Sequence, residues 1–239
     1  LQVTKYYAPV VGGIEQVVQT LAEELPYPVQ VLAAGKSKRT QLDTVNDIPV
    51  TRAGSFGTLN SVPLSPSFPF HIQKAKQNAD LIHYHLPNPV AATSGLLMNA
   101  TDRPTVATYH SDIVRQSRSF RIYRPILNKF LDQVDQIIVT SPHLLEHSDI
   151  LAQFQDKCTV IPLSIDLSKF DSGTAAAKQR HSLEDNQPTV LFVGRLTYYK
   201  GVKYLIDAMA DVDARLLVVG DGERKVALEE RAQRRGIMN

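Results

Sequence analysis

Apolar positions along this chain switch repeatedly between a period near two and a period near 3.6. Short apolar runs at 1–7, 29–34, 50–53, 81–85, 105–109, 137–140 and 159–161 read as strands. Between the first two, Ile14, Val17, Val18, Leu21, Ala22 and Leu25 share one face of a predicted helix over 14–25. Helical spacing recurs over 68–78, 90–99, 122–134 and 142–151. Strands alternating with helices predict an α/β fold, a doubly wound parallel sheet covered on both faces. Residues 54–69 break the alternation with two glycines, four serines and three prolines, and predict a long functional loop.

A polar stretch over 166–186, with few apolar residues beyond Phe170, separates a second unit. That unit has predicted strands at 189–193 and 215–219, followed by helices at 202–212 and 223–235. This is the start of a βαβα pattern, and two strands do not complete a doubly wound domain. The expected division is therefore a complete Rossmann-like domain over 1–165, a linker over 166–186, and a partial second domain over 187–239. The chain opens at Leu1 inside a strand and stops at Asn239 beside a charged helix, so it reads as a piece of a longer protein from which a leader would be lost to view.

Composition narrows the class only a little. Hydrophobic residues at 43% and charged residues at 21% describe a soluble globular chain. Lys plus Arg number 26 against 24 for Asp plus Glu, a balance that gives no reason to expect a nucleic-acid partner. Cys158 is the only cysteine, which excludes an internal disulfide and a cysteine-rich zinc site and fits a reducing cytosol. No apolar run approaches the roughly 20 residues that span a bilayer.

Candidate chemistry gathers where predicted strands end. The run Val190-Leu191-Phe192-Val193-Gly194-Arg195-Leu196-Thr197-Tyr198-Tyr199-Lys200-Gly201 closes a strand on glycine, supplies two cations, and opens a helix on another glycine. Unpaired N–H groups at a strand end and helix start suit an anion, and Arg195 and Lys200 add charge; a surface turn with two solvated cations is the alternative. Gly12-Gly13 sits between the first strand and first helix, where glycine permits positive φ and close approach of a ligand, or serves a flexible turn. His110 ends the strand 105–109 and is followed by Ser111 and Asp112. An imidazole there can bond a sugar hydroxyl or act as a base, or it can be satisfied by a backbone carbonyl.

Gly220-Asp221-Gly222-Glu223 repeats the strand–glycine–helix arrangement, with Asp221 and Glu223 as candidate helix caps. His83 and His85 lie two apart on one sheet face; no third ligand is identifiable, so packing is expected there and no metal site. Arg115, Arg118, Arg121 and Arg124 recur every third residue, a slanting basic stripe that is either a solvated face or a contact for acidic lipid headgroups. The fingerprints GxGxxG after the first strand, GxxxxGK[ST] and GxSxG do not occur, which disfavours a dehydrogenase, a P-loop phosphotransferase and a serine hydrolase.

Taken in order, these positions resemble the retaining glycosyltransferases of family four, whose GT-B fold sets two Rossmann-like domains across a cleft. The resemblance rests on Tyr7-Ala8-Pro9 leading to Gly12-Gly13, and on Tyr109-His110-Ser111-Asp112. It continues through Ile161-Pro162, Ile165-Asp166 and Phe170, then Val193-Gly194-Arg195 with Lys200-Gly201, and Gly220-Asp221-Gly222. It covers nearly the whole chain. By resemblance, Arg195 and Lys200 bind the donor diphosphate and stabilise the leaving nucleotide. Gly12 and Gly13 form the glycine loop near the donor phosphate, and His110 contacts the donor sugar. Gly220, Asp221 and Gly222 lie beside the donor base. The first domain would be the acceptor side and the second the nucleotide-sugar side.

The resemblance implies no cofactor, a nucleotide sugar as donor substrate, and a lipid or glycan acceptor. It also implies a role in glycan biosynthesis, in the cytoplasm or peripherally at the inner membrane face. Two departures stand out. Ser164 replaces a glycine common before the linker Ile-Asp, and the paired-glutamate motif of the family is absent. The expected reaction moves a hexose to an acceptor hydroxyl with retention, and the 239-residue chain alone is expected to be inactive. A GT-B sugar phosphorylase, a nucleotide-sugar epimerase and a non-catalytic nucleotide-binding module are the alternatives.

Overall fold

The computed structural model describes residues 1–98, 103–113, 117–165 and 187–237, with the backbone alone at 117–119. The chain divides into two compact units, Leu1–Ile165 and Asp166–Asn239. The predicted linker 166–186 lies outside the described residues.

The first unit is built on an eight-stranded sheet. In chain order its elements are β1 Gln2–Val3, α1 Gly13–Glu24, β2 Val31–Ala34, β3 Gln41–Val45, β4 Ile48–Ala53, β5 Thr58–Leu59, β6 Val62–Pro63 and α2 Phe68–Lys76. There follow β7 Ile82–Leu86, α3 Pro89–Leu97, β8 Thr105–Tyr109, α4 Ser117–Gln133, β9 Gln136–Val139, α5 Pro142–His147 and β10 Cys158–Val160. Strand order in the large sheet is β10-β9-β8-β7-β1-β2-β4-β3, and every pairing is parallel except β3 with β4. β2 and β7 are buried along their whole length, as expected of central strands covered on both faces.

One face carries Val3, Leu32, Tyr84, Leu86, Ala107 and Tyr109, packed with Phe68 and Ile72 of α2, Ala91 of α3 and Leu127 and Leu131 of α4. Gly95 of α3 leaves room there for Tyr84 against Phe130, whose rings meet edge to face at 4.9 Å. On the opposite face Val31, Ala33 and Val50 pack against Val18 and Ala22 of α1. Proline at the first helical turn marks α3 and α5, whose starts are capped by Asn88 and Ser141: the Asn88 amide oxygen accepts from Ala91 N at 3.2 Å, and Ser141 Oγ accepts from Leu144 N at 3.2 Å.

Two hairpins correct the expected pattern. β3 and β4 are joined by Asn46 and Asp47, and β5 and β6 by Asn60 and Ser61, each pair at φ near 49° and 65°. Two left-handed residues in a two-residue connection match the twist of antiparallel strands. The stretch 54–69 is thus partly a hairpin, and β3 is a strand where none was expected because Gln41–Val45 is mostly exposed and polar. The predicted helix over 142–151 ends at His147 and is followed by a 3-10 turn over Leu151–Gln153.

The second unit pairs β11 Thr189–Val193 with β12 Arg215–Val219 in parallel, at the two places where strands are predicted. Helices α6 Val202–Met209 and α7 Lys225–Arg234 cover one face, with Leu196, Val202, Ile206 and Leu228 as its core. The other face leaves Leu191 58% and Val193 68% exposed. Asp207 of α6 joins the helices by accepting from Arg231 at 2.8 and 2.6 Å and from Arg235 at 3.1 Å.

Candidate active site

In the first unit the strand order reverses between β1 and β7, because the chain builds outwards from β1 in one direction and then returns to its other side. Ligands of open α/β sheets bind beyond the carboxyl ends of strands at such a point. His110 and the double glycine each follow the carboxyl end of a strand of this sheet. His110 follows β8 directly, its N–H bonded to Leu86 O at 3.0 Å. Gly12 and Gly13 begin α1 after the loop that leaves β1.

Neither glycine of the pair uses the positive φ open to it. Gly12 is extended at φ −173°, a conformation open to any residue, and Gly13 is not among the glycines at positive φ. What Gly13 provides is space, since a Cβ there would meet nothing within 4 Å. A Cβ at Gly12 would lie 2.1 Å from a carboxylate oxygen of Glu15, which folds back over the helix start. The preceding loop is held by Arg52 of β4, a residue the sequence pattern does not single out. Its guanidinium donates to the carbonyl oxygens of Tyr7 and Ala8 and pairs with Asp43 at 3.0 Å.

His110 belongs to a row. Its Nε2 lies 3.2 Å from Nδ1 of His85, and Nε2 of His85 lies 2.8 Å from Oε1 of Gln2. His83, bonded to Thr108 Oγ1 at 2.7 Å, packs its ring 4.3 Å from that of His85 at a tilt of 33°. Burial pushes the His83 pKa down to about 4, helped by the neighbouring His110. Burial likewise lowers His110 to about 4, and it holds His85 well below the usual histidine range with help from His83 and His110. All three rings are neutral at pH 7, so the row offers hydrogen bonds and no charge. After His110, Tyr109 Oη and Ser148 Oγ both donate to Asp112 Oδ1, at 2.7 and 2.8 Å, which fixes the turn of the Tyr-His-Ser-Asp segment.

A cavity of about 300 Å³ opens beside the ends of β1 and β7. Leu64, Pro87, Pro89, Phe120 and Tyr123 give it mainly apolar walls, with Lys5 at its edge. Of the arginine stripe, Arg121 and Arg124 are exposed on α4; Arg115 lies outside the described residues, and Arg118 is described only by its backbone.

The second unit brings its expected residues together. Gly194 N bonds Val219 O at 3.0 Å, Leu196 N bonds Asp221 O at 2.9 Å, and Arg224 N bonds Leu196 O at 3.0 Å. The loop carrying Arg195 is thereby laced to the loop Gly220-Asp221-Gly222. Arg195 and Lys200 are both exposed, and among the described residues neither forms an ion pair. Lys200 closes a 3-10 turn over Tyr198–Lys200, and Gly201, left-handed at φ 69°, redirects the chain into α6. Asp221 and Glu223 do not cap a helix: Asp221 Oδ1 accepts from Gly222 N at 2.8 Å, and α7 starts later, after Arg224.

Comparison with known proteins gives the family and the fold. The family model "Glycosyltransferase Family 4" matches residues 11–169, and "Glycosyl transferases group 1" matches residues 174–239. O-antigen chain mannosyltransferase C of Escherichia coli is 32% identical over 241 residues, covering 98% of this chain and 63% of that protein. D-rhamnosyltransferase WbpZ of Pseudomonas aeruginosa is 32% identical over 238 residues, covering 98% of this chain and 62% of that protein. The chain thus spans less than two thirds of the length of these relatives. Among solved structures, HepE of Anabaena in complex with UDP-glucose matches with a TM-score of 0.74 at 20% identity, over 100% of this chain and 66% of that one, a likeness of GT-B fold. With a family match across more than half of its length, the chain belongs to glycosyltransferase family 4.

Proposed function

We propose that the full-length protein transfers a hexose or deoxyhexose from a nucleoside diphosphate sugar to a hydroxyl of a glycan or lipid acceptor, with retention at the anomeric carbon. The observation that carries this reading is the laced pair of exit loops in the second unit, which sets the Gly194-Arg195-Leu196 segment against Gly220-Asp221-Gly222, with exposed Lys200 at the end of the following 3-10 turn. The mannosyl- and rhamnosyltransferase names of the two relatives support the sugar class, and the UDP-glucose bound to HepE supports a nucleotide donor. The apolar cavity beside β1 and β7 supports an acceptor with a greasy part.

In this reading Arg195 and Lys200 hold the diphosphate. As the anomeric C–O bond breaks, negative charge grows on the departing phosphate, and fixed cations stabilise it more in the transition state than in the ground state. His110 receives a hydrogen bond from a hydroxyl of the donor sugar. The space at Gly13 lets substrate approach the backbone, and Gly220, Asp221 and Gly222 border the base. The acceptor oxygen attacks from the face the phosphate leaves, and its proton passes to the departing phosphate oxygen. Position and charge do this work, so the proposal includes no metal and no cofactor.

Turnover by the full-length protein, read with a panel of nucleotide sugars, tests the assignment. Arg195→Ala should lower turnover by about 10²–10³-fold, the usual loss for one oxyanion-stabilising group, with acceptor KM little changed. Unchanged turnover would remove Arg195 from the reaction. Assayed beside it, the 239-residue chain, which lacks the paired-glutamate motif, should show no transfer.

Among the described residues no helix is long and apolar enough to cross a membrane. We place the full-length protein on the cytoplasmic side, with α4 in peripheral contact with an acidic membrane surface; exposed Arg121 and Arg124 support that contact.

A further inference from the structure

The row that ends at His110 has a direction. Strand alternation and the pairing of β1, β7 and β8 put Gln2, His83, His85, Thr108 and His110 on one face of three adjacent strands. Gln2 Oε1, 2.8 Å from His85 Nε2, has no proton to give, so His85 Nε2 carries the hydrogen of that contact. His85 is 1% exposed and neutral, and a neutral imidazole holds one ring proton. Its Nδ1 is therefore bare. The 3.2 Å contact between that Nδ1 and Nε2 of His110 is then a hydrogen bond in which His110 donates. His110, neutral in turn, is left without a proton on Nδ1. His83, anchored on Thr108, packs against the His85 ring and holds its plane.

We infer that Gln2 is a positioning residue: through His85 it fixes His110 as the Nε2–H tautomer and leaves a lone pair on Nδ1 to accept from a sugar hydroxyl. That lone pair accepts and cannot donate, so it reserves the ring for a hydroxyl. With the amide turned round, NH2 would donate to His85 and every proton along the row would change places. The use made of the lone pair rests on the proposed reaction. The tautomer does not.

Histidine labelled with nitrogen-15 in the 239-residue chain, observed through two-bond correlations between ring carbons' protons and ring nitrogens, reads each tautomer directly. His110 and His85 should each give one set of signals with Nε2 protonated and Nδ1 bare. Gln2→Met keeps the side-chain length and removes the amide; the single His110 set should then be lost to a mixture of tautomers, with the backbone signals of β7 and β8 in place. A protonated Nδ1 on His110 in the unaltered chain overturns the inference whatever the variant does, and so does an unchanged single tautomer in folded Gln2→Met. In the full-length protein, His110→Ala with unchanged donor KM and turnover would end the sugar-contact reading and leave the tautomer result standing.

Discussion

At the scale of single residues, glycine serves two different ends in this chain. A Cβ on Gly220 would lie 2.0 Å from the carbonyl oxygen of Gly194, and one on Gly222 would lie 2.6 Å from that of Leu196. Both obstacles are backbone and cannot swing aside. Gly220→Ala should therefore cost about 1–3 kcal/mol by overpacking and lower the Tm of the second unit; an unchanged Tm would show that the exit loops can part. Gly13, with open space around it, carries no such constraint. The sequence marks all these glycines alike, because a strand-end glycine looks the same whether it faces a ligand or a neighbouring loop. His110 was legible from its place after an apolar strand. Gln2 and Arg52 were not: each lies far along the chain from what it touches, and only strand register brings Gln2 to His85 and Arg52 to the loop after β1.

At the scale of elements, strand and helix alternation was legible where burial is two-sided, as in β7 and β8, and in the continuous apolar runs of β11 and β12, which are covered on one face only. It failed at Gln41–Val45, which is mostly exposed and polar, and at the β5–β6 hairpin, whose strands are two residues each; the only signal at either is an Asn-Asp or Asn-Ser pair suited to a two-residue turn. α4 joins both situations in one helix. Leu127, Phe130 and Leu131 anchor it in the core, while Arg121 and Arg124 flank Ile122, which is 78% exposed. Cations around an exposed apolar side chain are what an interfacial helix presents to acidic lipid. Vesicles containing phosphatidylglycerol should sediment the full-length protein, and Arg121→Glu with Arg124→Glu should reduce the bound fraction severalfold; equal sedimentation would leave α4 a solvated face.

At the scale of the whole molecule, the neutral histidine row links stability to pH. His83 and His110 are held down to about 4 by burial, against an unfolded value near 6.5. Between these values the unfolded chain binds protons that the folded chain refuses, so their contribution to stability is complete above pH 6.5 and is lost as pH falls towards 4. The urea midpoint should be level near pH 7 and fall through that window, by at most about 1.4 kcal/mol per pH unit for each imidazole. A flat profile would mean that the rings meet solvent. The row has a further consequence, which follows from strand order. Residues 2–53 build β1 to β4 on one side of the sheet, residues 82–160 build β7 to β10 on the other, and the backbone crosses between them once, through the β5–β6 hairpin and α2. Gln2 comes from one side and His85 with His110 from the other. The site is a seam: neither half owns it, and any exchange of one half for that of a related chain must match proton donors to acceptors across the join.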